Sequence, residues 1–139
     1  TFNVEPARAQ VLITEPIEGL KLKGTFHYQQ GYYYFRNVGN RVLLGGGRNL
    51  DMLGEETTEQ GINKGIEKHL IHILKTELLP NTFVEIDQQW SGIMAFGEDK
   101  KPILEWVSPH TFVAVRLGGM GMALGSLLGE RVSTEILSS

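Results

Sequence analysis

Residues 110–137 read HTFVAVRLGGMGMALGSLLGERVSTEIL, and the reading of the whole fold turns on this stretch. A β-branched, apolar run (Thr111 to Val115) ends at Arg116, and the glycine-rich turn Gly118-Gly119-Met120-Gly121 follows. An amphipathic helical pattern then closes the chain. Strand, glycine turn and helix in that order bring a helix N-terminus, with its free backbone N–H groups, against a bound group. Glycine lets the backbone approach closely and take positive φ. The same turn also serves a strand-to-helix corner made for packing alone.

Working outward, Pro102–Val107 is a strand candidate joined to the last strand through Ser108-Pro109, and Gly97–Lys101 (GEDKK) is a solvated turn. Before it, Phe83–Phe96 reads as a strand with a bend at Gly92. Thr57–Leu79 is expected to form one long helix, with Thr57 and Gln60 as a capping box. Its buried stripe is Ile62, Ile66, Leu70, Ile73, Leu74 and Leu78, and Pro80-Asn81 ends it. Gly61 and Gly65 suggest that one side of this helix lies close against a sheet. Thr25–Asn37 and Arg41–Gly46 read as the two arms of a hairpin turning at Val38-Gly39-Asn40. Gly45-Gly46-Gly47 closes the second arm, as a bulge or because another backbone passes close. Ala9–Thr14 is a further strand, and Leu50–Glu56 a polar connection. The order implies an α+β fold: a mixed, largely antiparallel sheet covered by one long helix, with a C-terminal strand–Gly turn–helix.

The chain has 139 residues, enough for a core without staples, and 17 glycines. A formal net charge of −3 and the lack of any basic block argue against a nucleic-acid surface. With no cysteine, disulfides, thiolate catalysis and Cys-ligated metal sites are excluded. The longest apolar stretch, Met120–Leu128, is too short to span a membrane. The start shows no export signal, which points to the cytoplasm. The chain does not begin with Met and enters directly on Pro-Ala-Arg-Ala-Gln, as a piece cut from a longer protein would.

Few residues suggest catalysis. His69 and His72 stand three apart on the long helix, a spacing that can hold a metal, but no third ligand is evident and partly buried or surface histidines account for them. His27 and His110 stand alone, and no nucleophile-elbow serine is present. Glu85 and Asp87 share a strand face, as solvated carboxylates commonly do. Tyr32, Tyr33 and Tyr34 with Arg36 are more informative. Three consecutive tyrosines on a strand must point to both faces, so at least one leaves the main core. A phenol and a guanidinium on one hairpin can orient a planar or carboxylate-bearing ligand. The bland counterpart is aromatic packing.

Four segments in this order, PARAQ (6–10), GYYYFRNVGNRVLLGGGR (31–48), WSGIMAFGEDKKPIL (90–104) and RLGGMGMALGSLLGE (116–130), resemble the C-terminal part of the D-amino-acid-oxidase-like family of FAD-dependent oxidoreductases. The resemblance runs from about Val4 onward. It implies that Gly118, Gly119, Met120, Gly121 and Met122 line the pyrimidine end of the flavin, where a helix N-terminus favours negative charge. It implies that Tyr34 faces substrate, with Arg36, Trp90 and Met94 as the other substrate-side residues. Amino-acid-oxidising members of the family carry an arginine where this chain has Met94. A thioether cannot pair with a carboxylate, so Arg36 is left as the substitute cation.

The family's G-x-G-x-x-G fingerprint does not follow any strand here. The resemblance therefore implies a two-part division: residues 1–109 as a substrate-binding sheet domain, and residues 110–139 as the strand and helix that complete an FAD domain lying outside this chain. The implied parent oxidises a small amine, amino acid or related substrate by hydride transfer to FAD. The isolated chain is expected to bind FAD weakly or not at all, to be inactive, and to self-associate through bared apolar faces. The other reading is a stand-alone, non-catalytic binding or interaction domain derived from the same fold.

Overall fold

A computed structural model describes residues 2–138. The chain divides into two compact units, Arg8–Ile93 and Thr1–Ala7 with Met94–Ser139. One sheet is built of strands β1 (Glu5–Thr14), β2 (Thr25–Tyr28), β3 (Tyr33–Val38), β4 (Arg41–Gly46) and β5 (Ile86–Phe96), in the order β2-β3-β4-β1-β5, and all of it but residues 5–7 and 94–96 lies in the larger unit. Strands β2/β3, β3/β4 and β4/β1 pair antiparallel, with Tyr34 opposite both His27 and Gly45. The α+β arrangement read from the sequence is the observed one.

Period-two alternation sorts the side chains. Leu12, Tyr33, Val42 and Leu44 point to one face and are buried beneath α1 (Lys64–Ile73), which contributes Ile66, Leu70 and Ile73. A π-helical turn, Leu74–Leu78, prolongs α1; the Leu79 N–H reaches back to the Leu74 carbonyl at 2.9 Å, and Leu74 is fully buried. Each such aliphatic side chain contributes about 1.5–3 kcal/mol by leaving water.

Several expectations on local structure are corrected. The first hairpin arm is two strands, because Gln29 and Gln30 take positive φ and reverse the chain between β2 and β3. The long helix begins at Lys64, seven residues later than the pattern suggests. Asn63 is its cap, accepting from the N–H groups of Gly65 (3.0 Å) and Ile66 (3.4 Å). Thr57 does accept a backbone N–H, but from Glu59, which closes a local turn instead of opening a helix. Residues 57–62 are instead held out of the helix by outside partners: the Glu59 carbonyl accepts from Arg8, and the Gly61 N–H donates to Ser91 Oγ. Gly61 thus precedes the helix and Gly65 lies exposed on it, so neither marks a close helix–sheet contact. Strand β5 starts at Ile86 and runs unbroken through Gly92. At the end of β4, a Cβ on Gly46 would collide with the Tyr32 carbonyl oxygen, so a passing backbone is what the glycine accommodates.

The smaller unit holds the hairpin β6 (Ile103–Ser108) and β7 (Thr111–Val115), antiparallel with a bulge between Trp106 and Ser108. Trp106 and Phe112 meet edge to face at 5.2 Å. Helix α2 (Gly121–Leu137) follows the glycine turn; it buries Leu128 and leaves Met122, Leu127 and Leu137 exposed. Among the described residues no helix is long and apolar enough to cross a membrane.

Candidate functional site

The glycine turn is folded as a donor platform. Arg116, at φ +65°, leaves β7 in a left-handed conformation, and Gly118 (φ +54°) and Gly119 (φ +83°) continue it. Glycine takes these last two conformations without the strain a side chain would add. The Gly118 N–H is bound to the Ala95 carbonyl at 3.1 Å and the Met120 N–H to the Leu117 carbonyl at 2.8 Å. Helix α2 has no side-chain cap at Met120. Among the described residues nothing accepts from the N–H groups of Gly119, Gly121 or Met122. Seventeen residues of aligned peptide dipoles stand behind these donors, so the turn favours a carbonyl-rich or anionic edge.

Met94, at the head of the smaller unit, is brought to this turn: its Sδ lies 3.5 Å from where a Cβ on Gly119 would stand. A substrate-side candidate and a cofactor-side candidate are therefore neighbours. Met120 is half exposed and the Met122 side chain fully so; Met122 can contribute its backbone N–H, while its thioether meets nothing.

Tyr34 and Arg36 sit two apart on β3, on the sheet face opposite Tyr33 and α1, beside half-buried Val11, Ile13 and Leu43. The tyrosines divide as the alternation requires: Tyr33 into the core, Tyr34 onto the open face, Tyr32 half exposed in the turn. The Tyr34 ring lies flat over Gly45, whose added Cβ would be 2.5 Å from the phenol oxygen. Burial pushes the Tyr34 phenol up, which keeps it a hydrogen-bond donor at neutral pH. Arg36 is exposed, and among the described residues nothing pairs with it.

Trp90 is 44% exposed. Its neighbours Gln89 and Ser91 bond to Glu67 of α1 and to the Gly61 N–H, on the helix-covered side, so alternation turns Trp90 to the Tyr34 face. It does not join Tyr34, however. Strands β4 and β1 lie between β3 and β5, which separates the two by about 14 Å at the usual strand spacing. His69 and His72 stack loosely, at 6.3 Å between rings, and His69 lies 5.6 Å from Tyr33. Among the described residues no three metal-ligating side chains come together.

Two groups of residues escaped the sequence reading. One is Arg116 with its partners. The other is Glu55, buried in the connection before α1 and bound by Arg8 and Asn63. Neither carries a spacing signal, because each is assembled from segments far apart in the chain.

The fold is thus a sheet with one helix-covered face, followed along the chain by a strand, a donor-bearing glycine turn and a helix. The chain matches the family model described as DAO, FAD dependent oxidoreductase, over residues 1–134, and it belongs to that family. Among solved structures it is similar to L-proline dehydrogenase from P. horikoshii, with 18% identity and a TM-score of 0.77 over 98% of this chain and 36% of that one. It is likewise similar to glycine oxidase from Geobacillus kaustophilus, with 22% identity and a TM-score of 0.73 over 96% of this chain and 35% of that one. At these identities the likeness is one of fold, and the chain spans about a third of each protein's length. No curated protein matches it. The residues present fit one end of FAD, through an uncapped helix start, glycines without Cβ and three free donors. No strand is followed by the glycine fingerprint that would cradle the pyrophosphate.

Proposed function

We propose that this chain is the substrate-side sheet and closing helix of an FAD-dependent oxidoreductase acting on a C–N or C–O bond of a small amine, amino acid or related molecule. FAD, when bound, supplies the hydride acceptor. In this reading residues 1–109 form the substrate-binding sheet domain, and residues 110–139 complete an FAD-binding domain whose pyrophosphate site is built from other residues. The N–H groups of Gly119, Gly121 and Met122 hold the flavin's pyrimidine edge, and Gly118 and Met120 fix the curve of the turn. Met94 covers the turn from the substrate side. Tyr34 donates a hydrogen bond to the substrate, Arg36 binds an anionic group on it, and Trp90 borders the open face. No general base is required of this chain; orientation and exclusion of water carry the rate.

The observation that supports this reading is the closeness of Met94 to Gly119, which brings a residue proposed for the substrate side beside the donor turn. A fluorescence titration tests it. The 139-residue chain alone should bind FAD weakly and show no turnover, while the native protein should copurify with flavin. Tight, saturable binding by the isolated chain would overturn the division of labour. The exposed apolar side chains of α2, Met122, Leu127 and Leu137, fit a face that packs on the FAD domain. Sedimentation of the isolated chain should accordingly show self-association.

A further inference from the structure

We propose that Arg116 is the positioning residue of the glycine turn, a clasp that fixes Gly118–Met122 from behind; this rests on the reading that the turn meets the flavin. The guanidinium ties two distant segments, the N-terminal stretch at Asn3 and the turn at Asp99–Lys101, to the end of β7. Nη1 donates to the Asn3 carbonyl at 2.9 Å, Nε and Nη2 donate to the Lys101 carbonyl at 3.1 and 2.9 Å, and Nη2 pairs with Asp99 Oδ1 at 2.5 Å. The guanidinium side chain is only 10% exposed, whereas the Asp99 carboxylate that pairs with it is 53% exposed. Gly97 makes room for it: a Cβ there would stand 2.5 Å from Nη1 and 2.7 Å from Cδ.

The backbone of Arg116 argues the same way. A left-handed conformation in a non-glycine residue persists only where the surroundings enforce it. Here the enforcing contacts are the clasp itself on one side and the Gly118 N–H bond to Ala95 on the other. The turn therefore leaves β7 in one direction, and the free donors at Gly119, Gly121 and Met122 are aimed by a bond set that begins two residues before the first glycine. A guanidinium engaged at Nε, Nη1 and Nη2 is also committed to the fold, and so Arg116 is not the cation that receives a substrate carboxylate. Lysine, with one compact charge, cannot reproduce a fork that holds three partner residues at once.

The test uses the native holoprotein and three variants, Arg116→Lys, Asp99→Asn and Gly119→Ala. Two quantities are read: hydrogen exchange at the amides of residues 117–122, and the flavin midpoint potential. Arg116→Lys should speed exchange in that window at least tenfold without a change elsewhere. It should also move the potential to more negative values, because donors no longer held in place stabilise less of the charge that grows on reduction. Asp99→Asn removes one exposed partner and should shift both readouts in the same direction by less. Parent-like exchange and potential in Arg116→Lys overturn the clasp, and if that variant does not fold, parent-like values in Asp99→Asn do so. A potential moved by Gly119→Ala but by neither clasp variant overturns this inference and leaves the flavin-facing turn standing. A potential moved by none of the three overturns both.

Discussion

The guanidinium of Arg8 closes on the carboxylate of Glu55 through two bonds, 3.0 Å from Nε and 2.8 Å from Nη2, and Glu55 is wholly shut off from solvent. The pair ties β1 to a connection that has almost no regular structure of its own. A third donor, Asn63 Nδ2 at 2.9 Å, and the backbone bond from the Arg8 N–H to the Glu55 carbonyl at 2.7 Å complete the anchor. Burial by itself would raise the Glu55 carboxyl. The bonds from Arg8 and Asn63, with the Arg8 charge, outweigh it and hold the group below its ordinary 4.5.

That sign fixes a pH dependence. A carboxyl whose folded pKa is depressed contributes its full stability above the unfolded value and loses it as pH falls through the folded one. Stability of the chain should therefore fall as pH drops below about 4.5. Glu55→Gln should flatten that acid limb. At neutral pH it leaves Arg8 without a counter-charge and should cost about 3–5 kcal/mol, the usual result of halving a buried pair. Urea unfolding of both proteins between pH 3 and pH 7, in steps of about one unit, measures the slope and the offset together. An equal acid limb in the variant would assign the slope to other groups.

Asn63 is the hub of the same region. Its Oδ1 caps α1, its Nδ2 serves Glu55 and Asp51, and its backbone N–H and carbonyl pair with the Gln10 side chain at 2.9 and 3.3 Å. Loss of a cap alone costs about 1 kcal/mol. Asn63→Ala also strips a donor from buried Glu55, so the expected total is about 2–3 kcal/mol. Asn63→Asp keeps the cap and removes the donor, and should fall short of the full effect of alanine only by the cap's share unless like charge beside Glu55 makes it worse.

The contrast between what the sequence discloses and what it hides is clearest around this helix. Ile66, Leu70, Ile73 and Leu74 are legible because burial imposes a helical period on a contiguous stretch. The true cap is not legible, since Thr57 is as good a local cap as Asn63. What decides between them is Arg8, Gln10 and Ser91 binding Glu59, Asn63 and Gly61 outside the helix, and those partners lie up to fifty-three residues away. The split of the first hairpin arm was hidden for a related reason: glutamine at positive φ has no signature. For the candidate site, the glycine turn and Tyr34 stand out in the sequence because glycine spacing and aromatic runs are local. Arg116 could not, because its meaning lies in Asn3, Asp99 and Lys101.

Tyr34 over Gly45 gives a packing prediction. Gly45→Ala puts a methyl 2.5 Å from the phenol oxygen, and the ring must move. Overpacking of this sort costs about 1–3 kcal/mol. The same substitution in a Tyr34→Ala background should be close to neutral, so a double-mutant cycle should return a coupling of about the full single-mutant penalty. A coupling near zero would mean that the sheet, and not Tyr34, demands the glycine.

Arg36 separates binding from folding. It stands exposed on the open face with no partner among the described residues, so Arg36→Met should leave the melting temperature of the native protein within a degree or two of the parent, as surface changes generally do. If Arg36 binds an anionic group of the substrate, loss of that charged hydrogen bond, about 1.5–3 kcal/mol, should raise KM roughly 10- to 150-fold. Because the anion is held alike before and during reaction, kcat should change little, the signature of uniform binding. Steady-state kinetics with the native substrate and with an analogue lacking the anionic group provide the check. The analogue should be indifferent to the substitution. An unchanged KM for the anionic substrate would remove Arg36 from the proposed site.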